Sequence, residues 1–102
     1  MTTITAEDYR LKDGRTMYVI RAEGHAIGGS KVCAGISAII YALAGYVRNH
    51  TGVEVDTLEL LKGYADISFC GGEAALAAYQ MAAIGLAQIA YTHPDKAEFT
   101  QK

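Results

Sequence analysis

Tryptophan is absent from this 102-residue chain, proline occurs once (Pro94), and cysteine occurs only twice, as Cys33 and Cys70. Two widely separated cysteines exclude the disulfide framework of a small secreted domain and point to reduced thiols in a reducing compartment. They also match no zinc signature, which needs ligands paired at close spacing, so no metal and no cofactor is expected. Positive charge is scarce as well. Nine Lys and Arg against eleven Asp and Glu leave a net charge of −2, which argues against nucleic acid and anionic membranes as partners. No basic segment followed by an apolar run opens the chain, so no signal peptide is read and a cytoplasmic location is expected. Half of the residues are apolar and a fifth are charged, the composition of a globular protein rather than a disordered one. The length suits a single domain covering residues 1–102.

The order of elements follows from the hydrophobic period. Ile4 to Leu11 favours a strand, Asp13-Gly14 suits a tight turn, and Thr16 to Glu23 alternates, with Tyr18, Ile20 and Ala22 on one face. Val32 to about Asn49 is helical, with Ile36, Ile39, Ile40, Leu43 and Val47 as its core stripe. It is apolar nearly all round, which predicts burial on every side. Arg48 and His50 suit its C-terminal end. A second alternating pair, Val53 to Leu60 and Tyr64 to Phe69, turns at Lys62-Gly63, and Cys70 closes it as a small filler. Glu73 to Tyr91 is a second helix. Its length invites a membrane-spanning reading, but alanine, Gln80 and Gln88 favour a helix packed closely through Ala and Gly85. Thr92-His93-Pro94 stops it. The tail 95–102 either adds a short edge strand through Phe99 or stays loosely ordered. The class is α+β, in the order β-β-α-β-β-α, an antiparallel sheet packed with two apolar helices.

Chemistry concentrates between the first hairpin and the first helix, in Gly24-His25-Ala26-Ile27-Gly28-Gly29-Ser30-Lys31-Val32-Cys33-Ala34. The eight steps from His25 to Cys33 would span roughly 26 Å if extended. A thiol–imidazole pair needs about 3 Å, so the loop must fold back. Gly28 and Gly29 supply the positive φ that such a reversal requires. A cysteine in a first helical turn feels the positive end of the peptide dipoles, which favours thiolate, and Lys31 adds charge of the same sign. Amides around Cys33 and Ala34 are placed to hold an oxyanion. The plain alternatives are a cysteine buried as core and a histidine with no chemistry.

These motifs resemble the ribosomal-processing cysteine protease (Prp, YsxB-like) family. Gly24-His25-Ala26 and Val32-Cys33-Ala34-Gly35-Ile36-Ser37 look like its Gly-His-Ala and Val-Cys-Ala-x-x-Ser elements. The ending Gly85-Leu86-Ala87-Gln88-Ile89-Ala90 looks like its last helix. The resemblance implies a homodimeric α+β protease of bacteria that removes an N-terminal extension from a large-subunit ribosomal protein, or a phage relative that processes a structural protein. It implies Cys33 as nucleophile, His25 as its partner, Gly24 as the glycine that lets the loop swing, and Ser37 as the serine one turn further on. A hydroxyl bonded back to the carbonyl four residues earlier explains Ser37 equally well.

One departure stands out. Family members carry a longer His–Cys loop ending Asp-x-Val-Cys, and here Ser30-Lys31 precedes Val32. The shortened loop motivates a second reading, a catalytically impaired dimeric peptide-binding or assembly module of the same fold. A third, a redox-sensing thiol, requires Cys70 to come within about 7 Å of Cys33 between Cα atoms. Homodimerisation is expected on independent grounds. Two helices apolar on more than one face exceed what four strands cover.

Overall fold

The structure, a computed structural model, describes residues 1–24 and 31–102. Along them run β1 (Thr2–Arg10), β2 (Thr16–Glu23), α1 (Lys31–Asn49), β3 (Val53–Leu61), β4 (Tyr64–Gly71), α2 (Glu73–Thr92) and β5 (Ala97–Gln101). The strands form one sheet in the order β3-β4-β2-β1-β5. Each hairpin is antiparallel, and the two are joined by antiparallel pairing of β2 with β4. Both hairpin turns fall where glycine was expected to place them. Gly14 has φ +90° and Gly63 φ +78°, a conformation that side chains with a Cβ rarely take. In the first turn the Asp13 carboxylate also accepts the Arg15 N–H at 3.0 Å.

Alternation sorts β2 as predicted. Tyr18, Ile20 and Ala22 enter the main core with Ile67 and Phe69 of β4 and with the inner stripes of both helices. Met17 and Val19 turn to the opposite face and form a small cluster with Cys70. The core is anchored by aromatic contact: Tyr18 lies 4.9 Å from the Tyr79 ring and 5.8 Å from Phe69, centroid to centroid, with the rings tilted, contacts that add to simple burial.

The tail takes the ordered alternative. β5 pairs in parallel with β1 at the sheet's edge. Gln101 Nε2 donates to the Tyr79 hydroxyl at 2.6 Å and to the Ala6 carbonyl at 3.2 Å. The architecture is therefore the predicted α+β order with a fifth strand added. Parallel pairing after a helix is a tertiary decision, and five residues with little apolar content do not announce it.

Within the chain the sheet covers one flank of the helices and each helix covers part of the other. They lie in one layer on one face of the sheet, so each has only one side to bury. The two approach closely because a Cβ on Gly85 would lie 2.9 Å from Ile39 Cδ1, and one on Gly35 would lie 3.3 Å from Ile89 Cδ1. Small residues line this seam, as expected for Gly85. The outward side stays uncovered: Tyr41, Met81 and Ile84 are 65%, 79% and 59% exposed, and Ile39 is only partly buried. Both helices are long and apolar enough, by length and composition, to cross a bilayer, yet each packs one side against the sheet.

Candidate active site

One end of the molecule brings together the end of β2, the start of α1 and the β3–β4 turn. Gly24 follows β2 with φ +79°, and a Cβ there would lie 2.6 Å from the Met1 carbonyl oxygen. Its N–H donates to the Gly63 carbonyl at 3.0 Å. Glycine is required at this position on two grounds, the left-handed backbone and the close approach of Met1, just before β1. The chain therefore leaves β2 from a fixed point beside the turn. His25, Gly28 and Gly29 lie outside the described residues.

α1 begins at Lys31, which puts Cys33 in its first turn. Val32 and Cys33 turn inward, Cys33 being 9% exposed, while Ala34 is exposed. The first-turn N–H groups have no partner within the helix, so they present a partial positive charge at this point. Cys33 and Ser37 are four residues apart and so share one side of the helix, about 6 Å apart along its axis.

Below Cys33 on that side is a cavity of about 180 Å³. Ser37, Ile40 and Tyr41 form its helical wall, and residues 60–65 of the second hairpin form the other. Small-molecule pockets usually enclose about 300–1,000 Å³, so this one is sized for a side chain rather than a whole ligand. Sequence reasoning identified Lys62-Gly63 as a turn but did not place it beside α1. No local signal carries that contact, because it depends on β2 pairing with β4.

Other sequence candidates are set apart from this end. His50 follows α1 at its far end, stacked on Tyr46 at 5.2 Å with Nδ1 accepting the Gly52 N–H at 2.9 Å. That bond closes a turn just past the end of the helix. His93 caps α2, its N–H donating to the Ile89 carbonyl. Cys70 is 3% exposed on the sheet face opposite the helices, where Arg15 Nη1 donates to its sulfur at 3.3 Å. Arg15 also bonds Asp13 and Glu54. The backbone N–H and then the guanidinium of Arg15 hold the Asp13 carboxyl below its usual range. The two cysteines form no disulfide. Cys70 is five residues along β4 from Ala65 of the cavity wall, about 17 Å, and on the other face of the sheet. The two thiols are on different elements, Cys33 at the start of α1 and Cys70 near the end of β4, which gives no support to a resolving-thiol role for Cys70. Among the described residues no cluster of His, Cys, Asp and Glu is arranged to hold a metal.

No protein-family model and no curated protein matches the sequence, and the likeness to known proteins is one of shape. The chain has the fold of the ribosomal-processing protease Prp of S. aureus. Superposed on that protease with a covalently linked product peptide, it gives a TM-score of 0.77 at 20% identity, over 100% of both chains. On the same protease with a substrate peptide the score is 0.73 at 19% identity, again over 100% of both. SMU.848 of Streptococcus mutans gives 0.74 at 19% identity, over 99% of this chain and 93% of that one.

Proposed function

We propose that this chain is a cysteine endopeptidase that trims an extension from a protein substrate, with Cys33 as nucleophile and His25 as its proton partner. The observation that carries the reading is Cys33 in the first turn of α1, at the end where Gly24 is pinned beside the β3–β4 turn. A full-length fold shared with a protease that binds peptide supports it. In the reaction the Cys33 sulfur, its proton passed to the His25 imidazole, bonds to the scissile carbonyl carbon. The carbonyl oxygen becomes an oxyanion facing the first-turn amides around Cys33 and Ala34. Collapse breaks the C–N bond while His25 returns its proton to the leaving amine. Water, deprotonated by His25, then hydrolyses the thioester and restores the thiol. Ser37 lines the cavity beneath and contacts the acyl side of the peptide. The substrate is a ribosomal-protein extension or a phage structural protein, in the cytoplasm.

The test is a thioester trap. Incubation with candidate extension peptides, quenched in acid, should give a mass increment on the peptide containing Cys33. Its absence alongside cleavage would remove Cys33 as nucleophile. The 9% exposure of Cys33 favours the second reading, a module that binds peptide without cutting. Alkylation of Cys33 no faster than that of a free thiol between about pH 6 and 9 would select it.

Self-association belongs to the same proposal. Neither helix carries a charge between Val32 and Val47 or between Ala74 and Thr92. The groove between their outward sides, about 480 Å³, is lined by Ile39, Ala42, Tyr46, Ala78, Met81 and Gly85. An uncharged apolar surface suits an identical copy of itself. Met81→Glu should shift sedimentation from dimer to monomer, and a wild type that sediments as a monomer at high concentration would refute the pairing.

A further inference from the structure

The cavity under Cys33 has one charged residue in its lining among the described residues, and that residue is a lysine, Lys62. The rest of its wall is apolar or hydroxyl-bearing, with Ile40, Leu60 and Ala65 supplying the hydrocarbon. The surroundings reinforce the sign. From Gly24 to Val53 the sequence contains no acidic residue, while Lys31 opens α1 two positions before Cys33. The first turn of the helix adds its own partial positive charge.

The nearest carboxylates are held on the far side of the sheet. Glu23, Glu59 and Asp66 alternate with Ala22, Leu60 and Ala65, which face the helices, so period-two geometry turns the acids the other way. Asp66 is also engaged there. Tyr64 donates to its Oδ2 at 3.3 Å, and Arg21 Nε lies 3.4 Å from its Oδ1. Lys62, exposed in the turn at the cavity's edge, forms no ion pair with these acids among the described residues.

We infer that this cavity selects a carboxylate-bearing side chain of the peptide, glutamate above all, with Lys62 as its counter-charge. Glutamate fits both parts of the wall: its two methylenes cover the Ile40–Leu60–Ala65 floor, and its carboxylate meets the one cation. Lysine or arginine at the same peptide position is repelled. The inference deepens the peptidase reading and rests on it for the identity of the ligand as a peptide.

The experiment uses a randomised decapeptide library with blocked termini. In one arm the full-length wild type cleaves the library and products are sequenced by mass spectrometry. In the other, full-length Cys33→Ala selects binders from the same library, so recognition is read without cleavage. The expected result in both arms is enrichment of Glu over Lys at one position, about five- to tenfold at low salt, the range of one partly screened charge pair. Raising salt to about 1 M, where the screening length falls to about 3 Å, should flatten it. Lys62→Gln should abolish the preference and Lys62→Glu should reverse it, while Lys12→Gln, in the far hairpin turn, leaves it in place. Preference in the binding arm without cleavage in the other upholds the inference and defeats the peptidase reading. No preference in either arm, or one that survives Lys62→Gln, overturns the inference.

Discussion

The two cysteines are both buried and both reduced, yet they occupy opposite kinds of place. Cys33 is in the first turn of a helix, on the side that continues into a cavity, at the end where β2 leaves the sheet. Cys70 is in mid-sheet packing, with Met17 and Val19 beside it and the Arg15 guanidinium bonded to its sulfur. Burial does not distinguish them, since 9% and 3% exposure are both core values. What differs is what each sulfur can reach. The Cys33 thiol belongs to the helix end for which we propose the peptide chemistry. A thiol held by a side chain already committed to two carboxylates is a structural contact.

Breaking the comparison at the thiols should have the largest effect. Cys33→Ala should lower cleavage of a substrate peptide to the limit of detection, a loss of at least about a thousandfold, because no other group forms the acyl bond. Cys70→Ala removes only packing and a weak sulfur acceptor, so its cleavage rate should stay within about threefold of wild type, with a loss in stability of about 1–2 kcal/mol. Comparable activity in both variants would dissolve the distinction between the two thiols.

The places of the two cysteines, one at a helix start and one on a strand, were legible in the sequence for physical reasons that can be named. The His–Gly-Gly–Cys stretch running from an alternating strand into a 3.6-period helix places Cys33 at a helix start, and both hairpins announce themselves through Asp13-Gly14 and Lys62-Gly63. These are local signals, set by backbone freedom and hydrophobic period. Three features were out of reach because they join distant parts of the chain: β5 alongside β1, the Gly24–Gly63 hydrogen bond, and Arg15 on Cys70. Which side of the helices the chain itself buries was out of reach for a related cause. Their composition shows that they are apolar all round, but only the topology shows that one layer lies on one sheet face.

The glycines offer a smaller break between the same two ends. Gly24 and Gly14 share a positive φ, at +79° and +90°, but differ in surroundings. Nothing lies within 4 Å of a Cβ on Gly14, whereas on Gly24 it would press into the Met1 carbonyl at 2.6 Å. Gly14→Ala should therefore cost about 1 kcal/mol, the conformational penalty alone. Gly24→Ala adds a backbone collision and should cost about 2–4 kcal/mol while depressing cleavage out of proportion to the fraction unfolded. Urea denaturation with matched activity assays separates the two terms, and equal losses of stability would mean that β1 yields at Gly24 without cost.

The smallest effect tests whether the Arg15 corner is structural only. The Arg15 N–H, and then its guanidinium, hold the Asp13 carboxyl below the usual aspartate range. A carboxyl with a depressed folded-state pKa contributes stability that is present above the unfolded value and is lost as pH falls through the folded one. Wild type should thus be slightly more stable than Asp13→Asn at neutral pH, and the difference should close below about pH 4. The group is at the surface, where salt screens it, so the gap is small and should shrink further in high salt. Thermal melts of both proteins across that pH range read it directly, with cleavage at neutral pH as the companion measurement. If Asp13→Asn slowed cleavage severalfold without lowering the melting temperature, the corner around Cys70 would be coupled to the Cys33 end, and the division between a chemical and a structural thiol would have to be redrawn.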